Sequence, residues 1–104
     1  MVIPHLSVVI PVFNEEKKIG ADIEAALAYF QAQPYTFELI VVDDGSSDGT
    51  PLKLADWEKR SIPQLRVICY QPNRGKGCAV RTGMLAARGE IRMFADAGLC
   101  VPFS

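Results

Sequence analysis

The sequence is poor in the side chains that build metal centres and disulfide frameworks. It has one histidine, His5, and three cysteines, Cys69, Cys78 and Cys100, with no CxxC spacing among them. An odd count in apolar or glycine-rich surroundings reads as core thiols of a reducing compartment, which places the chain in the cytoplasm. There is no excess of either charge: 11 basic against 12 acidic residues give a formal charge of -1. Bulk attraction to nucleic acid or to an anionic membrane is therefore not expected. Long hydrophobic runs are missing too. The apolar start, Met1 to Phe13, is broken by Pro4, His5 and Pro11 and lacks a basic lead and a cleavage site, so it reads as neither signal peptide nor membrane span. No low-complexity tract, linker or sequence repeat divides the 104 residues, and 49% hydrophobic content suits one globular domain over 1–104.

What is present is a rhythm. Leu6 to Ile10 reads as a strand ended by Pro11, and Asn14 can cap a helix running from about Glu15 to Gln33, with Ile19, Ile23, Ala26, Leu27 and Phe30 at helical spacing. Phe37 to Val42 is a second strand. Thr50 before Pro51 resembles an N-cap with proline at the first helical position, predicting a helix from about Pro51 to Arg60 that buries Leu52, Ala55 and Trp57. Leu65 to Tyr70 is a third strand, followed by a loop from Gln71 to Lys76. A helix from about Gly77 to Arg88 follows, with Val80, Met84 and Ala87 on one face and Gly89 as left-handed terminator. Ile91 to Ala95 is a fourth strand, with Asp96-Ala97-Gly98 as its exit. Strands alternating with single helices predict an α/β three-layer sandwich: a four-stranded parallel, Rossmann-like sheet with helices on both faces.

In a parallel sheet the loops that leave the strands gather on one edge, where ligands bind. That edge receives Asn14, Glu15 and Glu16, then Asp43, Asp44 and Asp48, then Asn73, Arg74 and Lys76, and last Asp96. Clustered carboxylates repel and need a cation or hydrogen-bond donors to offset the cost. They accept well from ribose hydroxyls and from a base N–H, while Lys76 between two glycines adds a positive charge where backbone can approach a ligand. The set suits a metal-chelated nucleoside diphosphate. Glu15 and Glu16 also favour a helix start, Asp48 suits a turn, and His5, Phe30, Trp57, Arg81, Arg88 and Arg92 read as packing or solvated residues.

Four segments carry a resemblance. Ser7 to Glu16, Val41 to Thr50, Asn73-Arg74-Gly75-Lys76-Gly77 and Phe94-Ala95-Asp96-Ala97 stand in the order and spacing of family-2 glycosyltransferases, with the look of dolichyl-phosphate glucosyltransferases and their prokaryotic polyprenyl-phosphate relatives. The resemblance implies the nucleotide-binding half of a GT-A fold, a UDP- or GDP-sugar donor and a divalent ion, Mg²⁺ or Mn²⁺. It also implies inverting transfer to a lipid phosphate by the full-length form, at the cytoplasmic membrane face. By the same resemblance Pro11, Phe13 and Glu15 line the nucleoside pocket, Asp43 and Asp44 hold base or ribose, Asn73 and Lys76 lie near the nucleotide, and Asp96 holds the metal.

Two departures accompany it. The family's DxD reads Asp96-Ala97-Gly98, without the second carboxylate, and the chain stops before the acceptor half, so the catalytic base is expected beyond its end. The chain is thus expected to bind donor, with transfer by these residues alone left open and a non-catalytic binding module as the variant reading. A strand edge exposed at the fourth strand is expected to pair in a homo-oligomer. From another class, Ile40 to Asp44 resembles the first strand and acidic pair of a signalling receiver domain, which would leave Leu6 to Ile10 unused. A dinucleotide-binding domain would need GxGxxG where Pro11 to Glu16 stand.

Overall fold

The computed structural model describes residues 3–96. Four strands, β1 (Leu6–Val12), β2 (Phe37–Asp44), β3 (Leu65–Tyr70) and β4 (Ile91–Phe94), alternate with α1 (Ile19–Gln31), α2 (Thr50–Lys59) and α3 (Lys76–Ala86). The strands form one sheet in the order β3-β2-β1-β4, and every pairing is parallel. The strand that a receiver domain would leave unused is therefore interior, paired with β2 and β4.

Alternation along the strands sorts the core into two layers. Val8, Ile10, Leu39 and Val41 pack beneath α1 and α2, which contribute Ile19, Ile23, Leu27, Phe30, Leu54 and Trp57. Val9, Ile40 and Val42 face α3 through Ala79, with Ala87 just past the helix end in the same cluster. The third helix buries small residues rather than the expected Val80 and Met84, which are only half-buried. A side chain at Gly83 would run into Val9 and Val42, so the helix axis sits close to the sheet.

Several boundaries differ from the sequence reading, each for a local reason. Pro11 does not end β1. The Val9 carbonyl accepts from the Ala95 N–H (2.9 Å), so alternate residues of β1 turn their backbone toward β4, and Pro11 lies past the end of that strand where no ladder bond is lost. The second strand runs on through Asp43 and Asp44, both buried. The first helix starts at Ile19, not Glu15, because the backbone N–H groups of Asn14, Glu15 and Glu16 donate sideways to Ser46 Oγ, Thr50 Oγ1 and Asp48 Oδ2. Asn14 has a φ of 51° and caps nothing; its Oδ1 accepts the Ser47 N–H. The helix ends at Gln31.

The second helix begins one residue early. Thr50 lies inside it and Asp48 supplies the capping oxygen, accepting the Thr50 N–H at 2.9 Å and hydroxyl at 2.6 Å. Its buried stripe is Thr50, Leu54 and Trp57, whereas Leu52 is 75% exposed, two residues out of phase with Leu54. Gly89 is not a left-handed terminator: only Gly45 and Gly75 have positive φ among the described glycines. The third helix ends because the Arg88 N–H donates to Glu38 Oε2 (2.6 Å) and the Gly89 N–H to Ser7 Oγ (2.7 Å). Gly89 is glycine for closeness, since a Cβ there would lie 2.5 Å from Ser7 Oγ.

Candidate functional site

The sheet winds in one direction through β1, β2 and β3, and α3 then returns the chain to set β4 beside β1. Ligands of open α/β sheets collect where the order reverses, outside the carboxyl ends of the strands. A cavity of about 370 Å³ opens there, lined by Pro11, Val12, Phe13, Glu15, Asp44, Asn73, Gly75 and Lys76. Six of the eight residues that the family resemblance implies for the site share this one cavity.

Asp44 is its hub. Oδ1 accepts the Tyr70 hydroxyl at 2.6 Å and the Arg74 N–H at 2.8 Å; Oδ2 accepts the Asn73 side-chain amide at 2.9 Å and the Gly75 N–H at 3.0 Å. A carboxylate has about four lone-pair positions, and here protein donors meet all of them. The buried Asp44 thus fixes the loop from Asn73 to Gly75 at the mouth of the cavity. Burial, and then the bond to this carboxylate, push the Tyr70 phenol above its ordinary range, so it remains the donor. Tyr70 was not foreseen as a site residue. The signal was its register, since Tyr70 is the partner of Asp44 across β2 and β3.

Asp43 points to the other face of the strand and does not line the cavity. Its Oδ1 accepts the Ser46 N–H at 3.1 Å and hydroxyl at 2.5 Å, shaping the turn, and its Oδ2 is buried without a hydrogen-bond partner. Gly45, with a φ of 68°, carries the chain between Asp43 and Ser46, and a side chain there would strike the backbone of Pro72 and Asn73. The first and second loops are stitched as well: beyond the three backbone donors above, Glu16 Oε1 accepts the Gly49 N–H at 2.9 Å. Glu16, Asn14 and Asp48 thus hold loops together, whereas the Glu15 carboxylate has no protein partner among the described residues and faces the cavity. Phe13, 46% exposed, presents an apolar face beside it.

Asp96 joins the site through Lys76, whose Nζ lies 2.5 Å from its Oδ1. Among the described residues no group of three His, Cys, Asp or Glu side chains could hold an ion alone, and Gly98, like Cys100, lies outside those residues. Asp96 offers a cation one carboxylate. A half-exposed carboxylate at the strand end already holds one in the lysine ammonium, and a magnesium-type site is commonly one or two carboxylates plus substrate phosphates. No helix among the described residues is long and apolar enough to cross a membrane.

Comparison with known proteins agrees with this geometry. Residues 7–103 match the Glycosyl transferase family 2 model. A dolichyl-phosphate beta-glucosyltransferase of Drosophila melanogaster is 42% identical over 99 residues, covering 89% of this chain and 30% of that protein. A dodecaprenyl-phosphate galacturonate synthase of Rhizobium johnstonii is 37% identical over 95 residues, covering 91% of this chain and 28% of that protein. The structure of a mannosyltransferase from Pyrobaculum calidifontis in complex with GDP-Man and Mn²⁺ superposes with a TM-score of 0.74 at 30% identity, over 93% of this chain and 28% of that one. The chain spans about 30% of the length of the curated relatives it matches. It belongs to glycosyl transferase family 2, and its sheet and helices match the GT-A fold.

Proposed function

We propose that residues 1–104 form the nucleotide-sugar-binding part of an inverting glycosyltransferase whose full-length form passes a sugar from a UDP- or GDP-linked donor to a polyprenyl or dolichyl phosphate at the cytoplasmic membrane face. The observation that carries this reading is the meeting of Pro11, Phe13, Glu15, Asp44, Asn73 and Lys76 around one cavity at the carboxyl edge of the sheet. Phe13 offers a flat apolar wall to a base. Glu15, unpaired and half-buried, accepts from ribose hydroxyls or a base N–H. Asp44 accepts from the base where the Asn73 amide gives way, and Asp43 supports it from beneath by fixing the turn. The third loop, with Lys76 at the start of α3, faces the diphosphate, where helix N-terminal N–H groups and the lysine both favour negative charge.

Asp96 would hold a divalent ion, Mg²⁺ or Mn²⁺, together with the diphosphate oxygens. Bound there, the ion supplies Lewis-acid stabilisation of the leaving group. In the transfer itself an acceptor oxygen bonds to the anomeric carbon while the bond to the diphosphate breaks and the diphosphate leaves with the electron pair. The outer edge of β4, with Ile91 and Phe94 about half exposed, has no strand partner among the described residues and is where we place pairing between copies. A monodisperse monomer in sedimentation at high micromolar concentration would remove that part.

Titration calorimetry with UDP-glucose and GDP-mannose in the presence of Mn²⁺ tests the assignment. Heat is expected with one of them, lost in Asp44→Ala and reduced in Glu15→Gln, which keeps shape and removes charge. Absence of binding to the unsubstituted chain by both donors would overturn the reading.

A further inference from the structure

Helices α1 and α2 share one side of the sheet, and α3 lies on the other. Its outward positions recur at helical spacing: Gly77, Arg81 and Leu85, with Arg88 just past its end, are all exposed. Carboxylates occur on α1 and on α2, but α3 has none. Leu85 is 76% exposed and stands between Arg81, one turn before it, and Arg88, one turn after. Further cations flank this stripe. Arg74 precedes the helix with its guanidinium over the Tyr70 ring, and Arg92 donates to the carbonyls of Met84 and Gly89 at the far end. Lys76 and Arg88 are paired with Asp96 and Glu38, whereas no ion pair among the described residues holds Arg74, Arg81 or Arg92. Glu90, the one carboxylate in residues 74–92, lies 3.8 Å from His5 Nδ1. The net charge of -1 conceals this patch, because most carboxylates stand at the ends of β1 and β2 and on α1 and α2.

We propose that this face of α3 docks on a bilayer that carries anionic headgroups, with Leu85 entering the boundary between headgroups and acyl chains and Arg74, Arg81 and Arg92 meeting lipid phosphates around it. An aliphatic side chain among arginines on an exposed helical stripe matches both layers of that boundary. Guanidinium groups pair with phosphate oxygens through two N–H bonds at once. Single-stranded nucleic acid fits less well, since it calls for aromatic side chains on which bases stack, and the outward positions of α3 hold none. The helix is about 16 Å long and starts at Lys76, which lines the cavity assigned to the donor. A membrane lying along the stripe therefore meets the protein beside the mouth of that cavity. The inference rests on the reading above that the acceptor is a lipid phosphate, and it names the face that brings the site to it. Each basic residue near an anionic surface raises affinity about fivefold, an attraction that salt screens.

The test is co-sedimentation of the chain with vesicles of phosphatidylcholine alone and of phosphatidylcholine mixed with phosphatidylglycerol, at low and high salt. Binding is expected to the mixed vesicles only and to weaken as salt is raised. Arg81→Glu should lower it roughly 25-fold, about fivefold for each of the two charges changed. Leu85→Gln should lower it several-fold, whereas Leu52→Ala, which removes an equally exposed leucine from α2, should leave it unchanged. All three positions are exposed, and an unchanged thermal midpoint shows that each variant is folded. Absence of binding to the mixed vesicles, equal binding to both kinds, or full binding by Arg81→Glu overturns the proposal. Polyglutamate bound in place of vesicles, with the same dependence on Arg81, would mean an acidic protein partner and would overturn it too. UDP titrated into the same proteins keeps the two readings apart. Donor binding without vesicle binding removes the docking face alone, and vesicle binding lost in Arg81→Glu while UDP binds no form of the protein leaves the face standing and removes the donor assignment.

Discussion

The Tyr70 hydroxyl donates to Asp44 Oδ1 across 2.6 Å, linking the ends of two neighbouring strands at the lip of the cavity. Without that bond Asp44 keeps three donors from the third loop but loses the one anchored in the sheet. Tyr70→Phe should therefore cost about 1 kcal/mol of stability, the usual net value of a hydrogen bond with some addition for the charged acceptor. It should weaken UDP binding several-fold by letting the carboxylate and its loop swing together. Urea denaturation and calorimetry on the same variant check both. A stability loss with unchanged UDP affinity would show that the tyrosine supports the fold and not the site.

At the opposite edge of the sheet, Glu38 is buried and accepts from Ser7 Oγ (2.6 Å), the Arg88 N–H (2.6 Å) and Arg66 (3.0 Å). Burial alone would raise its pKa, but hydrogen bonds from Ser7, the Arg88 backbone and Arg66, with the Arg66 charge, outweigh it and hold the group at about 2. The folded pKa lies below the ordinary 4.5, so Glu38 contributes stability that is fully present above about pH 4.5 and is lost as the pH falls toward 2. The contribution is roughly 2–3 kcal/mol. The urea midpoint of the unsubstituted chain should fall through this window. Glu38→Gln should be less stable at pH 7 and show a shallower acid decline.

The packing of α3 gives a third expectation. A Cβ at Gly83 would overlap Val9, with Val42 only 3.1 Å away, the two side chains fixed in the two central strands, β1 and β2. Gly83→Val must lift the helix from the sheet. Overpacking of this kind costs about 1–3 kcal/mol. Because α3 begins at Lys76, the shift should also reduce UDP affinity, whereas Leu52→Ala, at an exposed position of α2, should alter neither quantity. Thermal denaturation and UDP titration of the pair would decide it.

Much of this was written in residue order. Strand and helix alternation gave the parallel sheet, and a parallel sheet puts its exit loops on one edge, so Glu15, Asp44, Asn73 and Lys76 could be expected together before any coordinates. Hidden were the effects of contacts made by residues distant in sequence. Thr50, Ser46 and Asp48 take the N–H groups of residues 14–16 and delay α1, while Glu38 and Ser7 stop α3 and give Gly89 its role. Asp43 and Asp44 look equivalent in the sequence. The period of two in a strand turns one into the turn below and the other into the cavity. Strand order could not be read from local pattern either, since β4 beside β1 is a consequence of which face α3 packs on.

Gly45 ties the second loop to the third, and its replacement separates binding from the general fold. With a φ of 68° it occupies the left-handed region, where any L side chain is strained, and a Cβ would strike the backbone of Pro72 and Asn73. Relief can come only by moving the third loop outward, since the second is fixed by the Ser46 and Asp43 bonds. That motion pulls the Asn73 amide from Asp44 and shifts Lys76 at the far end of the same loop. Gly45→Ala is expected to lose about 1–2 kcal/mol of stability from backbone strain. UDP affinity should fall by an order of magnitude or more, because Asn73, Gly75 and Lys76 all leave their places around the cavity. Amide exchange should quicken in residues 73–76 and remain unchanged in β1 and α1. Fast exchange throughout the sheet would instead mean that the turn at Gly45 holds the whole domain together, and the drop in UDP binding could then not be assigned to the loop.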